Sequence, residues 1–170
     1  EARGAVLWAT GWAGLQALNA GRSRIVGSGV KGQAALLQLD RRRAPQLFAD
    51  GVHVVPHLDG TVAIGSTSEN SFQDGQSTDA QLDALLEKAR NLVPALAEAP
   101  VIDRWAGVRP RARSRAPMLG AWPERTGHFV ANGGFKIGFG MAPKIAVVMT
   151  DLILEDVDNV PDAFRVEASF

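Results

Sequence analysis

Apolar and polar positions along this chain fall into blocks whose periods predict short strands and three helices. Ala5-Val6-Leu7-Trp8-Ala9 is an apolar run stopped by Thr10-Gly11, the pattern of a buried strand ending in a tight turn, and Trp12 to Leu18 reads as a short helix. Gln33 to Asp40 reads as a strand, and Arg41-Arg42-Arg43-Ala44-Pro45 as a solvated turn. Val52 to Pro56 and Thr61 to Ser66 are strand-like runs joined by His57-Leu58-Asp59-Gly60, and they predict a hairpin because Asp-Gly accepts positive φ. The polar stretch 67–77 predicts a loop. Thr78 followed by Gln81 has capping-box spacing, and Leu82, Leu85, Leu86, Ala89 and Val93 share one helical face until Pro94 ends it. Val101 to Arg109, Met118 to Gly120 and His128 to Ala131 predict further strands. A last helix is expected from about Pro143 to Leu154, proline being tolerated in a first turn, and the tail from Val160 is expected to add an edge strand.

At 170 residues, with 46% hydrophobic and 21% charged positions, the chain is long enough to bury a core of ordinary globular composition. Eighteen basic residues balance eighteen acidic ones, so neither nucleic acid nor an anionic membrane is an expected partner. No run reaches the roughly 20 apolar residues that a membrane span needs. The N-terminus lacks a charged-then-apolar signal pattern, and a cytoplasmic location is expected. There is no cysteine, which removes disulfides and thiolate metal sites. His53, His57 and His128 are isolated from one another in sequence, so no metal site is expected.

Two stretches carry candidate chemistry. In the run from Asn132 to Pro143, Gly133, Gly134, Gly138 and Gly140 follow an apolar strand and precede an apolar helix, which lets the backbone approach a flat or anionic ligand closely. Lys136 is the charge in that loop, between Phe135 and Ile137. In Trp105-Ala106-Gly107-Val108-Arg109-Pro110, the arginine precedes a proline and so projects its fork from a stiff backbone, suited to a carboxylate. Arg111, Arg113 and Arg115 alternate with Arg109. Pro110 and Pro117 argue against a long regular strand there, and without interleaved aromatic residues the three extra arginines read as a solvated rim. A literal Gly-x-Gly-x-x-Gly occurs at Gly27-Ser28-Gly29-Val30-Lys31-Gly32, but only Ile25-Val26 precede it and a strand follows, so its context argues against a phosphate-binding turn.

The ordered set of Ala9-Thr10-Gly11, Val54-Val55-Pro56, Asp59-Gly60, Val62-Ala63-Ile64-Gly65, Trp105 to Pro110, Pro117-Met118-Leu119-Gly120, the glycine loop and Asp151-Leu152-Ile153 resembles the C-terminal part of the FAD-dependent amino-acid and amine oxidases, the superfamily of D-amino-acid oxidase, glycine oxidase and sarcosine oxidase. The resemblance implies an α/β to α+β fold: a mixed, largely antiparallel substrate-domain sheet with flanking helices, plus remnant strands and a helix of a Rossmann-like FAD-binding domain. Residues 1–20 would be a remnant of that domain, 21–125 the substrate domain, 126–157 the return to the FAD-binding domain, and 158–170 a tail. With the Ala-Thr-Gly element near residue one, the chain is expected to be a fragment of a longer protein, whose upstream FAD-binding half is its natural partner.

The implied activity is oxidation of the C–N bond of a small amino acid or N-alkyl amino acid by hydride transfer to non-covalent FAD. The isolated fragment is expected to be inactive and not to retain FAD; without cysteine, no cysteinyl link to the flavin is available within it. Arg109 and Lys136 would hold the substrate carboxylate, and Lys136 would also face the flavin. Thr10, Gly11, Gly133, Gly134, Phe135, Ile137 and Gly138 would line the cofactor. The alternative is a non-catalytic domain that binds a carboxylate or a partner in the same pocket.

Overall fold

The computed structural model describes residues 4–170, so the first three residues of the segment 1–20 lie outside the described residues. Along them run β1 (Val6–Trp8), α1 (Gly11–Asn19), β2 (Gly27–Gln38), β3 (Leu47–Ala49), β4 (Val52–Pro56), β5 (Thr61–Gly65), α2 (Ala80–Leu92), β6 (Val101–Ala112), β7 (Met118–Ala121), β8 (His128–Asn132) and α3 (Gly138–Leu154). The chain forms two compact units: Val30–Val108 is one, and the residues up to Gly29 together with Arg109–Phe170 are the other. Segments 21–29 and 109–125, grouped with the central domain by sequence, thus pack within the second of these.

The Val30–Val108 unit is built on the sheet β3-β4-β5-β2-β6, in which β3 and β4, β4 and β5, and β5 and β2 pair antiparallel. The hairpin stands where Asp-Gly predicts it, with His53 paired to Gly65, Gly60 at φ +87° and Asp59 accepting the Thr61 N–H at 3.0 Å. Alternation on the strands buries Ala35, Leu37, Val52, Val54, Val62 and Ile64 against Leu82, Leu86 and Ala89 of α2. Each buried leucine contributes about 1.5–3 kcal/mol through the water it sheds. The edge strand β3, all of it exposed, has no period in the sequence to announce it.

The helix cap differs from the expectation. Asp79, not Thr78, is the N-cap of α2, its carboxylate accepting the Gln81 N–H at 2.9 Å. Asp79 is chosen because a buried polar group on β2 reaches it: Gln33 donates to Asp79 Oδ1 at 2.8 Å and to Glu69 Oε1 at 2.9 Å, and its own Oε1 accepts the Asp79 N–H at 2.8 Å. Lys31, 3% exposed, completes this network 3.8 Å from Glu69 Oε2 and 3.6 Å from Asp79 Oδ2. The literal glycine fingerprint is therefore strand, within β2, and its buried lysine lies beside Glu69 and Asp79.

The Gln33 hydrogen bond, then the Gln81 N–H and the Lys31 charge, hold the Asp79 carboxyl below its ordinary value. A carboxylate with a depressed folded pKa stabilises the fold above its unfolded pKa, and that contribution disappears as pH falls through the folded one. Asp79→Asn is therefore expected to lower the melting temperature at neutral pH, with the gap to the wild type closing on acidification. Melting curves recorded from neutral to acid pH check this, and a gap independent of pH would contradict it.

In the other unit β1 runs parallel to β8 and β7 antiparallel to it, in the order β1-β8-β7. One sheet face, with Trp8, Met118 and Val130, packs on Leu15 and Leu18 of α1. The opposite face, with Leu119, Phe129 and Ala131, packs on Ile145, Val148, Met149 and Leu152 of α3. The first of these faces is edged by rings: Trp8 Nε1 donates to His128 Nδ1 at 2.8 Å, Trp8 and Trp122 meet edge to face at 5.6 Å, and Arg125 lies 4.4 Å over Trp122. No helix among the described residues is long and apolar enough to cross a membrane.

Three further expectations change here. The strand containing Arg109 continues through Pro110 to Ala112; proline is tolerated because the contact on this stretch uses its carbonyl, which accepts the Phe135 N–H at 3.0 Å. The last helix begins at Gly138 rather than Pro143, so Gly138-Phe139-Gly140 is its first turn. From Val160 the chain makes two short 3-10 turns, Asp162–Phe164 and Val166–Ala168, with a single parallel bridge from Arg165 to Leu119 in place of an edge strand.

Candidate active site

The glycine run opens where β8 ends, and a buried asparagine organises it. Asn132 Oδ1 accepts the Gly133 N–H at 2.7 Å while its Nδ2 donates to the Gly11 carbonyl at 2.9 Å. One side chain therefore ties the turn after β1 to the turn after β8. Gly11 and Gly133 stand at φ +57° and +73°, a region that L side chains enter only with strain. Phe135 follows at φ +46°, and Ile137 closes the turn by donating its N–H to the Gly134 carbonyl at 3.0 Å before capping α3.

Between β1, the end of β8 and α3 lies a cavity of about 660 Å³. Its walls are apolar: Leu7 and Ala9 from β1, Ala131 from β8, and Ile145, Met149 and Ile153 from α3. Gly11, Pro110, Asn132, Gly133, Gly134, Phe135 and Gly138 form its rim. Its size and lining suit an organic ligand held mostly by nonpolar contact.

The sequence-derived candidates divide in this geometry. Gly11, Gly133, Gly134, Phe135 and Gly138 line the cavity; Thr10, Arg109, Lys136 and Ile137 do not. Thr10 instead starts α1, its carbonyl accepting the Gly14 N–H at 3.2 Å. Lys136 is exposed, 5.6 Å from the centroid of the Phe135 ring. Arg109 is half-buried on β6, immediately before the rim residue Pro110, and strand alternation turns it to the face opposite that proline.

The glycines also differ in what they do. A Cβ on Gly133 would stand 2.6 Å from Ala112 Cβ, and one on Gly134 2.7 Å from Gly138 Cα, so these two serve close approach of the chain to itself. A Cβ on Gly11 or Gly138 would meet nothing within 4 Å. These two positions therefore leave open space among the residues that line the cavity. The first turn of α3 adds N–H groups without intrahelical partners, no side-chain cap and no acidic residue, a positive helix end beside the cavity.

Sequence reasoning missed the apolar walls and Asn132. The walls come from three elements distant in sequence, so no local motif could reveal them. Asn132 had a visible signal, a strand-ending asparagine directly before two glycines, which is the arrangement of a side chain bonding its own turn. The arginine rim is also corrected. Arg111 donates to Ser28 Oγ at 3.1 Å, and Arg113 binds the chain end through Ser169 O at 2.7 and 3.0 Å and Phe170 O at 2.5 Å; only Arg115 is exposed.

The family model described as DAO, FAD dependent oxidoreductase, matches residues 1–152. The chain is 33% identical over 125 residues to glycine oxidase of Pseudomonas putida, covering 73% of this chain and 34% of that protein. It is likewise 33% identical over 113 residues to the bifunctional protein ThiO/ThiG of Trichormus variabilis, covering 64% of this chain and 17% of the relative. The crystal structure of glycine oxidase from Geobacillus kaustophilus superposes with a TM-score of 0.81 at 29% identity, over 95% of this chain and 45% of that one. The chain thus spans about a third of the length of the curated glycine oxidases it matches.

Proposed function

The chain belongs to the DAO family of FAD-dependent oxidoreductases, and from that premise we propose that it forms the substrate-side and ring-side part of an enzyme oxidising the C–N bond of a small amino acid or N-alkyl amino acid. The observation that carries this reading is the apolar cavity with its rim of side-chain-free Gly11 and Gly138 at the positive end of α3. Bound FAD would supply the two-electron acceptor for the hydride that leaves the α-carbon, the nitrogen losing a proton as the imine forms. The residues of this chain orient and neutralise. Gly11 and Gly138 would admit the ring edge, with Gly133 and Gly134 letting the turn close beside it; the first turn of α3 and Lys136 would favour negative charge there, and Arg109 would hold the substrate carboxylate. The phosphate end of the cofactor needs other residues, since the literal fingerprint at Gly27 to Gly32 is strand.

The test is a flavin spectrum of the full-length protein, followed by anaerobic addition of glycine, sarcosine and D-alanine. Bleaching of the flavin band by one of them is expected and would name the substrate. A protein that purifies colourless and takes up no added FAD would overturn the reading in favour of a non-catalytic carboxylate-binding domain.

A further inference from the structure

Arg111 occupies a place for which carboxylate capture by Arg109 gives no reason. It lies two residues after Arg109 on β6, so the two side chains leave the same strand face. Its backbone bridges Gly134 of the glycine turn, and its guanidinium stands 5.7 Å from the centroid of the Phe135 ring. Lys136 Nζ stands 5.6 Å from that same ring. Phe135 is thus flanked by two cations, and it is held at φ +46°, a conformation rare for a bulky residue, by its N–H bond to the Pro110 carbonyl.

The charges in this place are one-sided. Among the described residues no carboxylate pairs with Arg111 or with Lys136, although six other basic side chains, Arg22, Lys31, Arg42, Lys88, Arg104 and Arg165, have acidic partners. The Arg111 guanidinium donates to the neutral hydroxyl of Ser28 at 3.1 Å, which uses one of its five donors. A single substrate carboxylate on Arg109 would leave the Arg111 charge uncompensated. We propose that the site selects amino acids bearing a second carboxylate, on the side chain or on an N-carboxymethyl group, and that Arg111, with Lys136 beside it, receives that group. This rests on the amino-acid oxidation reading above and narrows its substrate class.

The test uses the full-length protein with its cofactor and two readouts. Calorimetry compares the non-oxidisable dicarboxylates malonate and succinate with acetate and propionate, and steady-state turnover compares iminodiacetate and aspartate with glycine and sarcosine. One additional charge-assisted contact predicts dicarboxylates binding at least about tenfold tighter than monocarboxylates. Arg111→Leu should bring that ratio close to one, and Arg111→Lys should restore part of it. Equal binding of the two classes in the wild type, or a loss in Arg111→Leu that is the same for both, overturns the proposal and leaves Arg111 as a strut between Ser28 and Phe135. The two readings fail separately. Turnover of glycine without any dicarboxylate preference sinks the role of Arg111 alone, whereas a dicarboxylate preference without flavin reduction by any amino acid sinks the oxidation reading and keeps the acid-binding one.

Discussion

Arg109→Leu is expected to lower kcat/KM for the amino-acid substrate about a thousandfold in the full-length flavoprotein, with the flavin still bound. Two charge-assisted hydrogen bonds from one planar fork contribute about 2 kcal/mol each, and about 4 kcal/mol corresponds to that factor. The side chain leaves β6 from a half-buried position fixed on its C-terminal side by Pro110, whose carbonyl is itself bonded to the Phe135 N–H at 3.0 Å. Leucine is of similar bulk and lacks the charged fork, so it removes the carboxylate contact. Steady-state kinetics together with the flavin absorbance of the variant check the prediction. A loss below about tenfold would place the carboxylate elsewhere.

Gly133→Ala is expected to destabilise the chain by about 3 kcal/mol and to weaken flavin binding with it. The methyl group enters a backbone at φ +73°, which costs an L residue about 1 kcal/mol, and it would stand 2.6 Å from Ala112 Cβ and 3.1 Å from the Ala112 nitrogen. Ala112 belongs to β6 and is 1% exposed, so neither partner can retreat, and overpacking of this kind adds about 1–3 kcal/mol. The turn would then be pushed off the Asn132 side chain that joins it to Gly11. Denaturant unfolding measures the first effect. Gly138→Ala is the control, because its Cβ would meet no protein atom within 4 Å; it should leave stability nearly unchanged and reveal itself only when the cofactor is present.

Much of this architecture was readable from short-range patterning. The hairpin at Asp59-Gly60 and the apolar face of α2 follow from a turn dipeptide and a helical period, each of which acts within a few residues. The parallel pairing of β1 with β8 was not readable, since no local rule joins strands some 120 positions apart and the resemblance placed residues 1–20 and 126–157 in one domain without pairing their strands. Where local rules failed, a tertiary contact had outvoted them. Gln33, distant in sequence, made Asp79 the cap in place of Thr78. The Phe135 N–H made a β6 stretch containing Pro110 tolerable, and the chain end drew Arg113 out of solvent.

The candidate site divides along the same line. The sequence by itself determined which chemical groups it offers: Arg109 before a proline, Lys136 in a glycine-rich turn, no cysteine, and an apolar helix to follow, because residue type and backbone freedom are properties of single positions and their neighbours. Only the tertiary structure decided which glycines leave room and which merely let the chain touch itself. Gly133 and Gly134 are filled by Ala112 and Gly138, while Gly11 and Gly138 remain open toward a cavity whose walls come from β1, β8 and α3. A missing Cβ is written in the sequence, but what occupies its place depends on segments brought together from across the chain.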